Sequence, residues 1–364
     1  IMWHPKLPWS KSLANRIMVK RAVMAMPLPA PDETWSEDIQ AMHQVLTATE
    51  VAQAGEAGTA FRFGMAYWAS MPGKHILLTG SQRLLRRPIE PLVSALKQMG
   101  ASLHRVDHGW QIAGQPLSGG HIDMAMNVSS QFASALLLIE PRMAEPLILP
   151  DMSDMVSLPY VQMSQWVNPE TWPPEPDWSS AIVFALAAVI EGKTLRLNLN
   201  ADSLQGDAAW IDWGLMLGFR VTQESNSLVI HPGKPQMLWD LDLREQPDLA
   251  QPLVMASVAL GVEAQFSGLS TLMGKEIDRM RALKDALKQL NVMADVGIET
   301  IALDAREWQP SDQSLSVDAS GDHRMAFAWA LMSLVQPLQI TGESSVSKSF
   351  PDFWSEWKAL FKST

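Results

Sequence analysis

Four segments of this chain are apolar nearly all the way round a helix: SSQFASALLLI (Ser129 to Ile139), SSAIVFALAAVI (Ser179 to Ile190), DLAQPLVMASVAL (Asp248 to Leu260) and DHRMAFAWALMSLV (Asp322 to Val335). Such a helix has no face to offer water, so other structure must surround it. Each segment opens with Ser or Asp, whose side chains cap the free backbone N–H groups at a helix start. The longest nearly uninterrupted apolar runs, Ala181 to Ile190 and Met325 to Val335, fall short of the roughly eighteen residues that span a bilayer. The sequence therefore calls for a globular fold with helices in its interior.

Between these segments runs a weaker repeat of helix, strand, turn and strand. LVSALKQMG (Leu92 to Gly100) predicts a short amphipathic helix closed by Gly, followed by ASLHRV, a turn at Asp107 to Gly109, and WQIAG. The same order returns at Trp210 to Gly218, then FRVTQ, a turn at Glu224 to Ser227, and LVIHPG. It returns again at Leu283 to Asn291, followed by VMADVGIETIAL, with Asn291 in the place of Gly. Asn tolerates the left-handed conformation a helix C-terminus needs. Ala41 to Thr49 reads as a fourth, cut-down copy. A chain of 364 residues suits two domains. The Pro-rich stretch Asn168 to Trp178 is the best hinge between them.

Composition narrows the function. With no cysteine, the chain has no disulfide, thiolate metal site or cysteine nucleophile, and its eight histidines show no metal-ligand spacing. A net charge of −11 argues against nucleic acid, which wants a basic face. The opening twelve residues carry no apolar leader, so residence in the cytoplasm is expected. The scarce cations gather beside Ser, Thr and Gly: Lys11 and Arg16, Arg62, Arg83 and Arg87, Lys275 and Arg279, Arg324, Lys348. Local cationic pockets in an acidic protein suit a small anionic substrate, although any one of these cations is as easily a solvated surface charge.

Helix N-termini expose backbone N–H groups and the positive end of the helix dipole, and so attract anions. Four motifs place polar residues there: Ser10-Lys11-Ser12 ahead of a helix with Arg16, Gly55 to Thr59 ahead of a helix with Arg62, Ser129-Ser130-Gln131, and Asp322-His323-Arg324. Singly, each is explained by capping. Together they indicate a site that grips phosphates. Asp248 and Glu276 are the candidate acid–base groups, with helix capping the plainer reading for Asp248 and a surface pair with Arg279 the plainer reading for Glu276.

Taken in order along nearly the whole chain, these motifs resemble the 5-enolpyruvylshikimate-3-phosphate synthase family of enolpyruvyl transferases. SKSLANR (Ser10 to Arg16), AGTAFR (Ala57 to Arg62), RLLRRPI with Arg83 and Arg87, VSSQFASALL, SLPY (Ser157 to Tyr160), DSLQGD, QPDLA, KEIDRM, DHRMA and SKSFPDF carry the resemblance. It implies an α/β (α+β) fold: a two-domain inside-out α/β barrel of repeated βαβαββ units with buried helices. The domains would be residues 10–175 and residues 1–9 plus 176–364, closing over ligands bound in the cleft. It further implies transfer of the enolpyruvyl group of phosphoenolpyruvate to shikimate 3-phosphate by a monomer, without cofactor, metal, membrane or nucleic acid. Lys11, Ser12, Arg16, Ser129, Ser130, Gln131, Ser157, Tyr160, Asp248 and Lys275 would hold shikimate 3-phosphate. Lys11, Gly58, Arg83, Gln131, Arg279, Arg324 and Lys348 would hold phosphoenolpyruvate, with Asp248, Glu276 and Lys11 catalytic.

The chain also departs from the family pattern. Glu56 stands where the family usually has Asn, and Thr271 where Asn is expected ahead of KEIDR; Trp9, Phe63 and Leu158 are further changes. The stretches Arg16 to Glu56 and Tyr160 to Asp177 are short, as though hairpins had been trimmed. A carboxylate beside an anion site needs compensation, for which Arg83 or Lys11 is the expected partner of Glu56. A degenerate, non-catalytic paralogue is one alternative. A transferase acting on a UDP-amino sugar is another, disfavoured by the lack of cysteine.

Overall fold

The computed structural model describes residues 2–125 and 129–361. Ile1, expected in the second domain, and Val128, which opens the VSSQFASALL motif, lie outside the described residues. The chain forms two compact units, one spanning Trp9–Pro174 and the other joining the segment up to Pro8 with Glu175 onward.

The first unit runs α1 (Lys11–Val23), α2 (Glu37–Leu46), β1 (Val51–Gln53), α3 (Gly58–Ala69), β2 (His75–Thr79), α4 (Gln82–Leu85), α5 (Glu90–Gln98), β3 (Ser102–Val106), β4 (Gly109–Ala113), β5 (Gly120–His121), α6 (Ser130–Ile139), β6 (Leu147–Ile148) and α7 (Leu158–Trp166). One full βαβαββ unit is present, its sheet ordered β1-β2-β4-β3, with β1 and β2 parallel and the hairpin antiparallel. The pair β5 and β6 is parallel and flanks α6, a shortened copy.

In the second unit come α8 (Trp178–Glu191), β7 (Leu195–Leu197), α9 (Gly214–Leu217), β8 (Phe219–Glu224), β9 (Ser227–Pro232), β10 (Leu238–Asp242), α10 (Ala250–Ala259), β11 (Glu263–Ser267), α11 (Arg279–Gln289), β12 (Met293–Val296), β13 (Ile301–Asp304), β14 (Leu315–Asp318), α12 (His323–Met332), β15 (Leu338–Thr341) and α13 (Phe353–Phe361). The order β10-β11-β13-β12 repeats the strand pattern of the first unit. A further copy uses Trp3, bridged in parallel to Leu195, as its reduced first strand beside β7-β9-β8. The segment up to Pro8 is therefore needed in the unit that resumes at Glu175.

Two kinds of helix follow from the repeat. The first helix of each copy is buried: α8, α10 and α12 pack on one another in the second unit, and α1, α3 and α6 do so in the first. Alanines such as Ala181, Ala185, Ala187 and Ala188, all fully buried, let these inner helices approach closely. The second helix of a copy, such as α5 or α11, buries one face and shows the other to water. This is the expected inside-out α/β arrangement. Among the described residues no helix is long and apolar enough to cross a membrane.

Local expectations held unevenly. Asn291 has φ +55°, the left-handed cap its sequence position requires. The segment expected as a helix at Trp210 to Gly218 is split between the end of a tighter 3-10 stretch, Gly206–Trp213, and the short helix α9. The fourth copy keeps its helix, α2, and leads into β1 without a hairpin of its own. Among the described residues, the stretch Arg16 to Glu56, expected to be trimmed, holds only the three-residue strand β1, and the stretch Tyr160 to Asp177 holds no strand. Helix α8 is capped by Asp177, which accepts from the Ser180 N–H at 2.8 Å, two residues before the expected Ser179.

Candidate active site

Many of the residues singled out from sequence lie at or near helix starts, within one unit or the other. One N-terminus is closed from within. In α8 the Trp178 N–H donates to Gln205 Oε1 at 3.0 Å, and the Ser179 hydroxyl donates to Asp207 Oδ2 at 2.5 Å. Gln205 and Asp207 belong to the DSLQGD motif, so that motif serves the fold here. The starts of α1, α3 and α6 carry candidate residues of the first unit, and those of α10 and α12 candidate residues of the second.

In the second unit a single guanidinium organises the charges. Arg279, first residue of α11 and 2% exposed, donates through Nη1 to Asp248 at 2.8 Å, through Nη2 to Glu276 at 3.1 Å and through Nε to Asp322 at 2.8 Å. Lys275 pairs with Asp248 at 3.2 Å, and Lys348 with Glu276 at 2.9 Å. Thus Asp248, Lys275, Glu276, Arg279 and Lys348 meet in one network, together with Asp322. Glu276 and Arg279 do pair at the expected three-residue spacing, but the pair is buried rather than a surface contact. Asp248 does not cap α10; it lies in a 3-10 turn ahead of a helix whose N-cap, Leu249, makes no side-chain cap. Asp322 does cap α12, accepting from the Arg324 and Met325 N–H groups at 2.8 and 3.1 Å.

These contacts fix protonation. Burial alone would raise the Asp248 carboxyl, but the charges of Lys275, Arg279 and Arg324 outweigh it and hold Asp248 well below the usual carboxylate range. Burial would lower Arg279, and Asp322, Glu276 and Asp248 together push it above the ordinary arginine value. Arg324 is 3% exposed, and among the described residues its Nε and Nη1 have no hydrogen-bond partner. A buried cation with idle donors is costly without an anion to receive them.

The first unit distributes its charges. Ser10 caps α1, accepting from the Leu13 N–H at 3.3 Å. Lys11 follows and pairs with Asp38 at 2.6 Å, the two being 19% and 7% exposed. Arg16 is turned inward: Nε donates to the Tyr160 carbonyl at 3.1 Å and to Ser164 at 2.8 Å, Nη1 to the Ser12 carbonyl at 3.0 Å, and Nη2 to Ser134 at 3.3 Å. Burial pushes its pKa down to about 10, with Tyr160 partly opposing, so it stays charged at neutral pH. Arg16 thus ties α1 to α6 and α7, and positions Ser12 and Tyr160.

Gly58 opens α3 where a Cβ would lie 2.7 Å from the Arg87 guanidinium, so a side chain there would displace Arg87. Arg62 donates to Gln131 Oε1 at 2.5 Å, and the Gln131 amide donates to Thr59 at 3.0 Å, which joins the starts of α3 and α6. Ser129 caps α6, accepting from the Gln131 N–H at 3.3 Å, and Ser130 is its first residue. Ser157 precedes α7 in a left-handed conformation, φ +60° and ψ +33°. Arg83 Nε pairs with Glu56 at 3.1 Å, the expected compensation of that carboxylate.

Sequence reasoning missed Asp38, 27 residues from the lysine it pairs with, and saw Asp322 only as a cap. It also missed Thr59, Ser134 and Ser164 as partners of site side chains. Asp38 stands in the first turn of α2, where a carboxylate is ordinarily explained by the helix dipole.

The profile of the family described as EPSP synthase (3-phosphoshikimate 1-carboxyvinyltransferase) matches residues 31–167 and 160–357. A 3-phosphoshikimate 1-carboxyvinyltransferase of Bacteroides fragilis is 32% identical, over 96% of this chain and 93% of that one. One from Nitrosomonas europaea is 29% identical, over 98% and 95%. The solved EPSP synthase of Acinetobacter baumannii shares the fold at TM-score 0.67 and 20% identity, covering 98% of this chain and 95% of that one. The enolpyruvyl transferase NikO of Streptomyces tendae does so at TM-score 0.68 and 15% identity, covering 99% and 94%. This chain belongs to the EPSP synthase (3-phosphoshikimate 1-carboxyvinyltransferase) family.

Proposed function

We propose that this chain transfers the enolpyruvyl group of phosphoenolpyruvate to the 5-hydroxyl of shikimate 3-phosphate and releases phosphate. The observation that carries the reading is the Arg279 network: two carboxylates, Asp248 and Glu276, held at one guanidinium beside the buried, unsatisfied Arg324.

Asp248 takes the proton of the attacking hydroxyl while its oxygen bonds to the central carbon of phosphoenolpyruvate. Glu276, protonated from solvent once the substrates occupy Arg279 and Lys348, supplies a proton to the methylene carbon, which becomes a methyl group, and a tetrahedral ketal results. Glu276 then removes a methyl proton as the carbon–oxygen bond to phosphate breaks, and the proton taken by Asp248 passes to the departing phosphate, so both groups return to their starting state. Asp248 is a weak base while Lys275, Arg279 and Arg324 act on it alone. Substrate anions that take up those cations raise its basicity, so base strength arrives with the substrates. Lys11, Ser12, Ser129, Ser130, Gln131, Ser157, Tyr160, Asp248 and Lys275 hold shikimate 3-phosphate, with Arg16 beneath them. Lys11, Gly58, Arg83, Gln131, Arg279, Arg324 and Lys348 hold phosphoenolpyruvate, whose charge builds on the leaving phosphate during elimination. Residence in the cytoplasm and action as a monomer belong to the same proposal.

One observation favours a non-catalytic paralogue: a carboxylate, Glu56, already sits on Arg83. A coupled phosphate-release assay with shikimate 3-phosphate and phosphoenolpyruvate decides. Release that needs both substrates supports the transferase; no release with either or both removes it.

A further inference from the structure

We propose that Glu56 is a built-in competitor for the anion that Arg83 binds, and that it sets the affinity for phosphoenolpyruvate. This rests on the assignment of Arg83 to phosphoenolpyruvate made above. The contact comes from two loops laced together after the parallel strands β1 and β2. The Ala54 N–H donates to the Thr79 carbonyl at 2.9 Å, and the Ser81 N–H to the Gly55 carbonyl at 2.8 Å. Gly55 turns with φ +57°, and its N–H donates to Gln53 Oε1 at 2.9 Å. A Cβ on Gly80 would come within 3.0 Å of the Gly55 carbonyl, so the two loops touch through their backbones. The backbone thereby holds the Glu56 loop against the start of α4, which carries Arg83, within reach of its guanidinium.

Glu56 occupies the Nε edge of the guanidinium. An anion that grips this edge has to displace Glu56. One that grips the outer nitrogens end-on meets a guanidinium whose charge is already offset by a neighbouring carboxylate. Both routes weaken binding. Both side chains are nearly half exposed, 44% for Arg83 and 47% for Glu56, so solvent screens the pair and a substrate can open it. The opposing effect, in which Glu56 orders Arg83 for its ligand, is small for a side chain seated on a loop-bound four-residue helix.

The experiment measures steady-state phosphate release for the wild type, Glu56→Gln and Glu56→Ala at saturating shikimate 3-phosphate with phosphoenolpyruvate varied, and then the reverse. Removing an exposed ion-pair competitor should lower the KM for phosphoenolpyruvate roughly two- to fivefold in both variants, leaving that for shikimate 3-phosphate unchanged. An unchanged KM in both overturns the competition. A raised KM overturns it in favour of Glu56 as an orienting group. A fall in the Gln variant alone overturns the charge argument in favour of an amide hydrogen bond. A wild type that turns over normally while any of these three results appears leaves the transferase reading standing; a wild type without turnover overturns both.

Discussion

The two units carry their site charges in opposite ways. In the second, Asp248, Glu276 and Asp322 share one guanidinium, Arg279, with Lys275 and Lys348 closing the periphery. In the first, Lys11 pairs with Asp38 and Arg83 with Glu56, while Arg62 donates to the Gln131 amide oxygen and Arg16 to hydroxyl and carbonyl oxygens. A shared network fixes each member through the others, because moving one charge leaves several buried partners exposed to loss. Separate pairs can be opened one at a time. The first arrangement suits proton transfer, which needs its groups held in place. The second suits capture of anions, which must replace existing partners.

The largest test of that contrast is stability. Arg279→Met strands Asp322, fully buried, and Glu276, 11% exposed, and should cost about 3–5 kcal/mol, the usual penalty for breaking a buried ion network. Arg83→Met in the first unit should cost less than about 1 kcal/mol, as exposed pairs do. Urea denaturation midpoints measure both. Similar losses for the two would erase the distinction.

Next in size is turnover. Asp248→Asn and Glu276→Gln should each slow phosphate release by at least about a hundredfold, the scale of a lost general base or acid. Calorimetry should show shikimate 3-phosphate binding changed far less. Near-normal turnover in both would leave the Arg279 network a purely structural device.

Asp38 sits between the extremes. It is buried but pairs with only a partly exposed lysine, so Asp38→Asn should cost about 1–3 kcal/mol. A double-mutant cycle with Lys11→Met isolates the pair, and the double variant should recover much of that loss. A coupling energy near zero would make the 2.6 Å contact incidental.

Much of this was legible in the sequence because local chemistry dictated it. All-round apolarity marked the inner helices, and the Asn291 cap followed from position alone. The motifs picked out candidate residues because many of these lie at or near helix starts, where spacing in sequence matches proximity in space. What stayed hidden was pairing across elements. Lys11 and Asp38 lie 27 residues apart, Arg279 and Asp322 43 apart, and Arg16 and Tyr160 144 apart. No periodicity links such residues; only the folding that brings α1 to α2 and α7, and the start of α11 to that of α12, does. The Asp177 cap was missed because two further serines, equally good caps by type, follow it.

The smallest test concerns strain. Ser157 adopts φ +60° at the start of α7, and Asn291 adopts φ +55° after α11. A left-handed conformation costs a residue with a Cβ roughly 1–2 kcal/mol, less for Asn, whose short polar side chain bonds locally. Ser157→Gly should therefore stabilise the fold by up to about 1 kcal/mol, reduced by the greater freedom glycine has when unfolded. Asn291→Gly should change it by only a few tenths. Ser225, with φ +49° in the β8–β9 turn, is the control, because it has the same residue type and strain but no assigned ligand. Ser225→Gly should match Ser157→Gly in melting temperature, yet only Ser157→Gly should raise the KM for shikimate 3-phosphate. If both serines behave alike in kinetics as well, the strain at Ser157 belongs to the turn and not to the site.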